Sequence, residues 1–191
     1  MAKTESTLKN MLLSLTLISL GASAALGFAY KFTEKPIELS LLNKKLQAIK
    51  MVVPEFTNNP DNDMYKLAVP GGDSIEVYPA KKDTLVIGYA IKTYSEKGFS
   101  GRITLMAGFS PEGKVTGITV LEQKETPGLG TKMADTLFRN QFTGKDPALF
   151  KVKVKKDGGD VDAITAATIS SRAFCDAIDK AHNALMKGGK K

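Results

Sequence analysis

Residues 103–121 read ITLMAGFSPEGKVTGITVL. Two runs rich in β-branched and apolar residues, 103–109 and 115–121, flank Ser110-Pro111-Glu112-Gly113. Proline and glycine stand there where a type I turn wants them, so the two runs are predicted to pair as a hairpin. Further strand signals lie at 75–78 and 85–94, each bounded by Gly, Pro or Asp. Helical patterns stand before and after this block and not between its strands. The fold class that follows is α+β, an antiparallel sheet with helices at its edges.

Upstream, residues 11–30 contain no charged side chain. At about 1.5 Å per residue such a run spans about 30 Å, the thickness of a hydrocarbon core. A transmembrane helix is expected over 11–32. Lys3 and Lys9 before the run and Ala22-Ser23-Ala24 within it also fit a cleavable signal peptide. Apolar character continues through Leu26, Phe28 and Tyr30, which favours an uncleaved anchor. The expected organisation is a tail over 1–10, the anchor, a helical and loop connector over 33–72, one domain over 73–187 and a basic tail over 188–191. In the connector, Leu42, Leu46, Ile49 and Val53 predict an amphipathic helix over 39–53 that Pro54 ends. Residues 57–74, rich in Asn, Asp, Pro and Gly, read as loop, with Asp61-Asn62-Asp63 a solvated turn.

Composition excludes several chemistries. With 191 residues the chain accommodates one anchor and one domain of ordinary size. Its single cysteine excludes a disulfide framework and any Cys-x-x-Cys site, and Cys175 falls in an apolar helical pattern, as a buried structural thiol does. The single histidine, His182, builds no metal cluster and is expected at a solvent edge. Lys151, Lys153, Lys155 and Lys156 alternate with Val152 and Val154, which predicts a strand with valines inward and lysines in solvent. Despite a net charge of +7, the chain has no nucleic-acid reader motif, and no nucleic-acid partner is expected.

Two short segments carry the functional chemistry. Residues 162–171 read DAITAATISS, just before the helical pattern of Phe174, Ala177, Ile178, Ala181 and Leu185 that Gly188 and Gly189 stop. A hydroxyl that must reach a bulky group needs small neighbours, and Ala166 and Ala167 provide them. An anion is stabilised at a helix N-terminus, and this helix starts close to Thr168. The plainer reading makes Thr165, Ser170 or Ser171 an N-cap. Residues 125–132 read ETPGLGTK. Pro127 fixes its own φ, whereas Gly128 and Gly130 can take positive φ and open backbone N–H groups to a ligand. Thr131 is placed to cap a helix through Met133, Leu137 and Phe138. An ordinary turn is the alternative.

With Gln141-Phe142 between them, and one apolar span ahead of both, these segments resemble the G subunits of Rnf-type ferredoxin:NAD oxidoreductases. The C subunit of sodium-pumping NADH:quinone reductase is a more distant likeness. The likeness covers the anchor and residues 89–184. The run 162–168 resembles the pattern Asp-x-x-Ser/Thr-Gly-Ala-Thr, on whose last threonine a flavin transferase installs FMN through a phosphoester, and Thr168 is the matching acceptor. The resemblance implies an electron-relay subunit without a substrate-binding catalytic centre of its own. It implies cofactor contacts from Asp162, Thr165, Ala166, Ala167, Ile169 and Ser170, and from Glu125, Thr126, Gly128, Leu129, Gly130, Thr131 and Lys132 on the loop. Other membrane subunits of the complex, a flavin transferase during maturation and membrane lipid are the implied partners. The implied location is the inner (plasma) membrane, single-pass, with the C-terminal domain on the periplasmic or extracellular side. Counting lysines gives the opposite side, since Lys31, Lys35, Lys44, Lys45 and Lys50 follow the span, but that rule weakens for long translocated domains.

Two departures from the pattern stand out. Ala166 replaces the usual glycine and Ser170 the usual second threonine. Alanine at a position of positive φ costs roughly 1 kcal/mol. Two rival classes are an anchored assembly or binding subunit without covalent flavin, and a Ser-His-Asp hydrolase. The latter needs His182 beside a serine and an acid, and the sequence has no nucleophile-elbow signature.

Overall fold

The long apolar run and the residues after it form one helix, α1 (Leu8–Val52). The structure, a computed structural model, describes residues 7–53, 55–70 and 72–188; the first six residues, Pro54, Gly71 and the basic tail from 189 lie outside the described residues. The chain divides between Lys45 and Leu46 into two units. In the first, Leu12, Leu13, Leu17, Ile18 and Leu20 are all exposed, and α1 is the one described helix long and apolar enough to cross a membrane. The separate helix expected over 39–53 is instead a continuation of α1 through Pro36. Proline removes one backbone hydrogen bond there, and no glycine follows to stop the helix.

In the second unit, β1 (Tyr65–Leu67), β2 (Ile75–Lys82), β3 (Leu85–Gly98), β4 (Gly101–Phe109) and β5 (Val115–Glu122) form an antiparallel meander in sequence order. The 103–121 hairpin is β4–β5, closed by Gly113 N–H to the Ser110 carbonyl at 2.9 Å. Gly113 has φ +103°, a value that glycine adopts without strain. Strands β2 and β3 run further than expected. β1 lies inside the segment read as loop: Tyr65 and Leu67 pair with Val77 and Ile75 at the sheet edge, and three residues are too few to show a strand period.

Alternation on β4 explains why both faces of the sheet are covered. Ile103, Leu105 and Phe109 face α3 (Thr168–Gly188), whose Phe174, Ile178, Ala181 and Leu185 are fully buried against them. Met106 faces the other way, into a second cluster with Ala48, Ile49, Val52, Val53, Tyr78 and Ala90. Gly108 permits that second contact, because a Cβ there would stand 2.1 Å from the Val52 carbonyl oxygen.

Two expectations are corrected. The lysine-valine run forms no strand; it makes a single bridge, Val154 with Val161, and a 3-10 turn, Lys155–Asp157. Val152 and Val154 are buried and the lysines exposed, but Gly158 and Gly159 fold the segment back on itself, and Lys155 N–H bonds the Val161 carbonyl. His182 is buried, not at a solvent edge, with its ring 6.0 Å from that of Phe109. It follows Ile178 by four residues and so shares the sheet-facing side of α3. Cys175 is buried as expected, and burial pushes its thiol up to about 12.

Burial lowers the His182 pKa below its ordinary 6.5, with Asp146 and Asp179 opposing the shift in part. The folded state therefore prefers the neutral ring, and stability present above the unfolded value is lost as pH falls from there through the folded one. The melting temperature of the full chain should fall as pH drops below about 6.5, and His182→Asn should flatten that slope. Identical slopes in both proteins exclude His182 as the titrating group.

Candidate functional site

Glu125 joins three separate stretches of chain. It lies just beyond β5 and is only 5% exposed. Its Oε1 accepts the Ser100 N–H at 3.0 Å, from the turn between β3 and β4, and its Oε2 accepts the Ser170 hydroxyl at 2.5 Å, from the first turn of α3. Its own N–H bonds the Gln123 side-chain oxygen at 2.6 Å. Gly130 closes over this junction. A Cβ at Gly130 would stand 2.6 Å from Ser170 Oγ and 2.7 Å from Glu125 Oε2, so glycine is required for close approach, whereas Gly128 is the loop glycine with positive φ, +75°.

The loop continues differently from the expected capped helix. Thr131 lies within a 3-10 turn, Gly130–Ala134, and its Oγ1 accepts the Gly128 N–H at 3.0 Å. The helix that follows, α2 (Thr136–Arg139), has only four residues. Met133 and Phe138 are buried, but Leu137 is exposed. A helical period requires more turns than this segment has.

Entry into α3 is a tight turn from Ile164 to Ala167, closed by Ala167 N–H to the Ile164 carbonyl at 3.0 Å. Ala166, third in this turn, has φ +60°, the left-handed value expected for it. Ser171 N–H makes the first helical bond, to the Ala167 carbonyl, while Ser171 Oγ accepts the Ile164 N–H and donates to the Ala167 carbonyl. Neither Ser170 nor Ser171 is therefore an N-cap. The backbone N–H groups of Thr168, Ile169 and Ser170 have no protein acceptor among the described residues. They form the positive end of a 21-residue helix, a ready anion site.

These elements enclose a cavity of about 320 Å³. Glu125, Thr126, Leu129 and Gly130 form one wall, Ala166, Ala167, Thr168, Ile169 and Ser170 the other, and Phe99 completes the rim. The two motifs thus meet in space. Thr168 is half-buried on this wall, and its hydroxyl has no protein partner among the described residues, whereas the Ser170 hydroxyl is buried and donated to Glu125. Small alanines, an uncommitted hydroxyl and open N–H groups fit a phosphate held on Thr168. The exposed apolar side chains of Phe99, Leu129 and Ile169 fit a flat ring system beside it.

Other candidate residues lie off the wall. The Asp162 carboxylate pairs with Lys155 at 2.7 Å, and its peptide is held by the Gln141 side chain at 2.7 and 3.2 Å. Thr165 is exposed in the turn, and Gly128, Thr131 and Lys132 do not line the cavity. Phe99 is the cavity residue that sequence reasoning misses. Its signal is an aromatic between Gly98 and Gly101 in the gap between two strands, and only the hairpin shows that this gap is a tip pointing its phenyl ring outward.

The left-handed alanine gives a direct test. Ala166→Gly should raise the unfolding free energy by about 1 kcal/mol, since glycine adopts positive φ without the Cβ penalty. An unchanged or lowered melting temperature excludes strain at this turn.

Comparison with known proteins agrees with this geometry. The family described as "FMN-binding domain" matches residues 98–183, a span that holds every residue of the cavity wall. The G subunit of the Na(+)-translocating ferredoxin:NAD(+) oxidoreductase complex of Acetobacterium woodii is 33% identical over 179 residues, covering 87% of this chain and 86% of that protein. The G subunit of the ion-translocating oxidoreductase complex of Aliivibrio fischeri is 32% identical over 188 residues, covering 92% and 89%. Among solved structures, the C subunit of Na(+)-translocating NADH-quinone reductase from Parabacteroides distasonis matches with a TM-score of 0.57 at 20% identity, over 78% of this chain and 92% of that one, and shares the fold.

Proposed function

Because the chain belongs to the family of G subunits of ion-translocating oxidoreductase complexes, we propose that it is the membrane-anchored electron-transfer subunit of such a complex and carries FMN as a phosphoester on Thr168. The observation that carries this reading is the convergence of 125–130 and 166–170 on one cavity, with Thr168 presenting the uncommitted hydroxyl. Attachment joins Thr168 Oγ1 to phosphorus as a flavin transferase breaks the pyrophosphate bond of a flavin dinucleotide donor and releases its other nucleotide, so the chain gains one FMN less a water. The flavin supplies the redox chemistry, and the protein supplies position and electrostatics. The N–H groups of Thr168, Ile169 and Ser170 hold the phosphate charge, Ala166 and Ala167 leave room for it, and Phe99, Leu129 and Ile169 offer apolar surface to the ring. Electrons then pass between redox groups of the other membrane subunits, in ferredoxin:NAD reduction coupled to ion movement. The first part of α1 anchors the chain once in the inner membrane with the sheet domain on the periplasmic side.

Tryptic mass spectrometry of protein isolated from its native membranes tests the acceptor. The peptide bearing Thr165, Thr168 and Ser170 should carry one FMN less a water, with fragmentation placing it on Thr168. An unmodified peptide, or a modification on another hydroxyl, overturns the assignment and favours an anchored subunit without covalent flavin.

A further inference from the structure

We propose that Glu125 sets the reduction potential of the bound flavin, holding it low with a buried negative charge. This rests on the reading above that FMN occupies the cavity. Both oxygens of Glu125 accept hydrogen bonds, from Ser100 N–H and Ser170 O–H, the pattern of an ionised carboxylate. No lysine or arginine pairs with it among the described residues. A buried carboxylate without a cation is costly, and two neutral donors offset only part of that cost. A glutamine amide could bridge the same segments without the charge, its oxygen accepting from Ser100 N–H and its NH2 donating to the Ser170 hydroxyl, so stability alone gives no reason to keep a charge here. Its position gives one. Glu125 lines the cavity that holds Thr168, and its Oε2 bonds the residue two positions along the same helical turn.

Reduction adds negative charge to a flavin, and a fixed negative charge nearby opposes it. Water and salt screen a buried charge far less than a surface one. Glu125 therefore favours the oxidised cofactor. It also positions the site, because its two hydrogen bonds tie the Phe99 tip and the start of α3 to the loop. A purely structural role predicts lost folding or loading when it is changed. A charge role predicts a displaced potential in protein that is still folded and loaded.

The test uses the full chain co-expressed with its flavin transferase, with intact mass establishing covalent flavin before any potential is measured. Glu125→Gln is isosteric and should keep the flavin while raising its midpoint potential. At fixed potential the reduced-to-oxidised ratio should rise about tenfold, equivalent to about 59 mV for a one-electron couple. Ser170→Ala removes a donor but leaves the charge, so its potential should move the opposite way. It also serves as the deciding variant if Glu125→Gln does not fold or load. Loaded Glu125→Gln with wild-type potential overturns the proposal, as does loaded Ser170→Ala with an unchanged or raised potential. If wild-type protein carries no flavin mass, the functional reading itself fails and this inference falls with it.

Discussion

Thr168→Ala should eliminate covalent flavin completely while leaving the melting temperature within a few degrees of wild type. The side chain is half-buried, its hydroxyl makes no hydrogen bond to protein among the described residues, and alanine suits the first turn of a helix. No structural group loses a partner, so the expected effect is confined to chemistry. Ser170 cannot substitute as acceptor, because its hydroxyl is buried and committed to Glu125. Thr165 is exposed but lies outside the cavity wall. Denatured Thr168→Ala protein should therefore show neither flavin fluorescence nor added mass, whereas Thr168→Ser should retain some of both. Flavin persisting on Thr168→Ala under denaturing conditions rules out Thr168 as the sole attachment point.

Phe174→Ala should cost about 3–5 kcal/mol of stability, the range for emptying a buried aromatic site. Phe174 is fully buried on α3, with ring centroids 5.1 Å from Phe138 and 5.3 Å from Phe142. Phe142 in turn contacts Phe150 at 6.3 Å. This cluster joins α3 to α2 and to the segment that leads into the 162–171 run. Typical domains are stable by roughly 5–15 kcal/mol, so the loss takes about a fifth or more of the total. Thermal or urea unfolding of the full chain measures it. Phe174→Leu, which keeps most of the volume, should cost less than half as much. A loss below about 1 kcal/mol for Phe174→Ala means that the cluster does not hold α3 in place.

The parts of the fold that are legible in sequence are those set by neighbours a few residues apart. The Ser110–Gly113 turn, the start of α3 at Thr168 and the burial of Phe174, Ile178 and Leu185 follow from turn chemistry and helical period. The left-handed backbone at Ala166 follows too, since a motif that prefers glycine marks a position with positive φ. Errors arise where period alone has to distinguish similar patterns. Lys151 to Lys156 alternates like a strand, yet a glycine pair and a backbone bond to Val161 turn it into a loop. His182 is polar, yet its phase on α3 places it against Phe109.

Sequence by itself determined the sheet hairpin, the long apolar helix, the helix that presents Thr168 and the two short motifs at 125–132 and 162–171. Only the tertiary structure decided that Glu125 and Ser170, 45 residues apart, share a hydrogen bond. It also decided that Phe99 stands on the cavity rim and that Asp162 turns away to Lys155. The division has a physical cause. Backbone preference and side-chain period act over one or two turns of chain, whereas a cavity forms from surfaces that approach only after the sheet has folded, and its composition depends on which side chains happen to fit there.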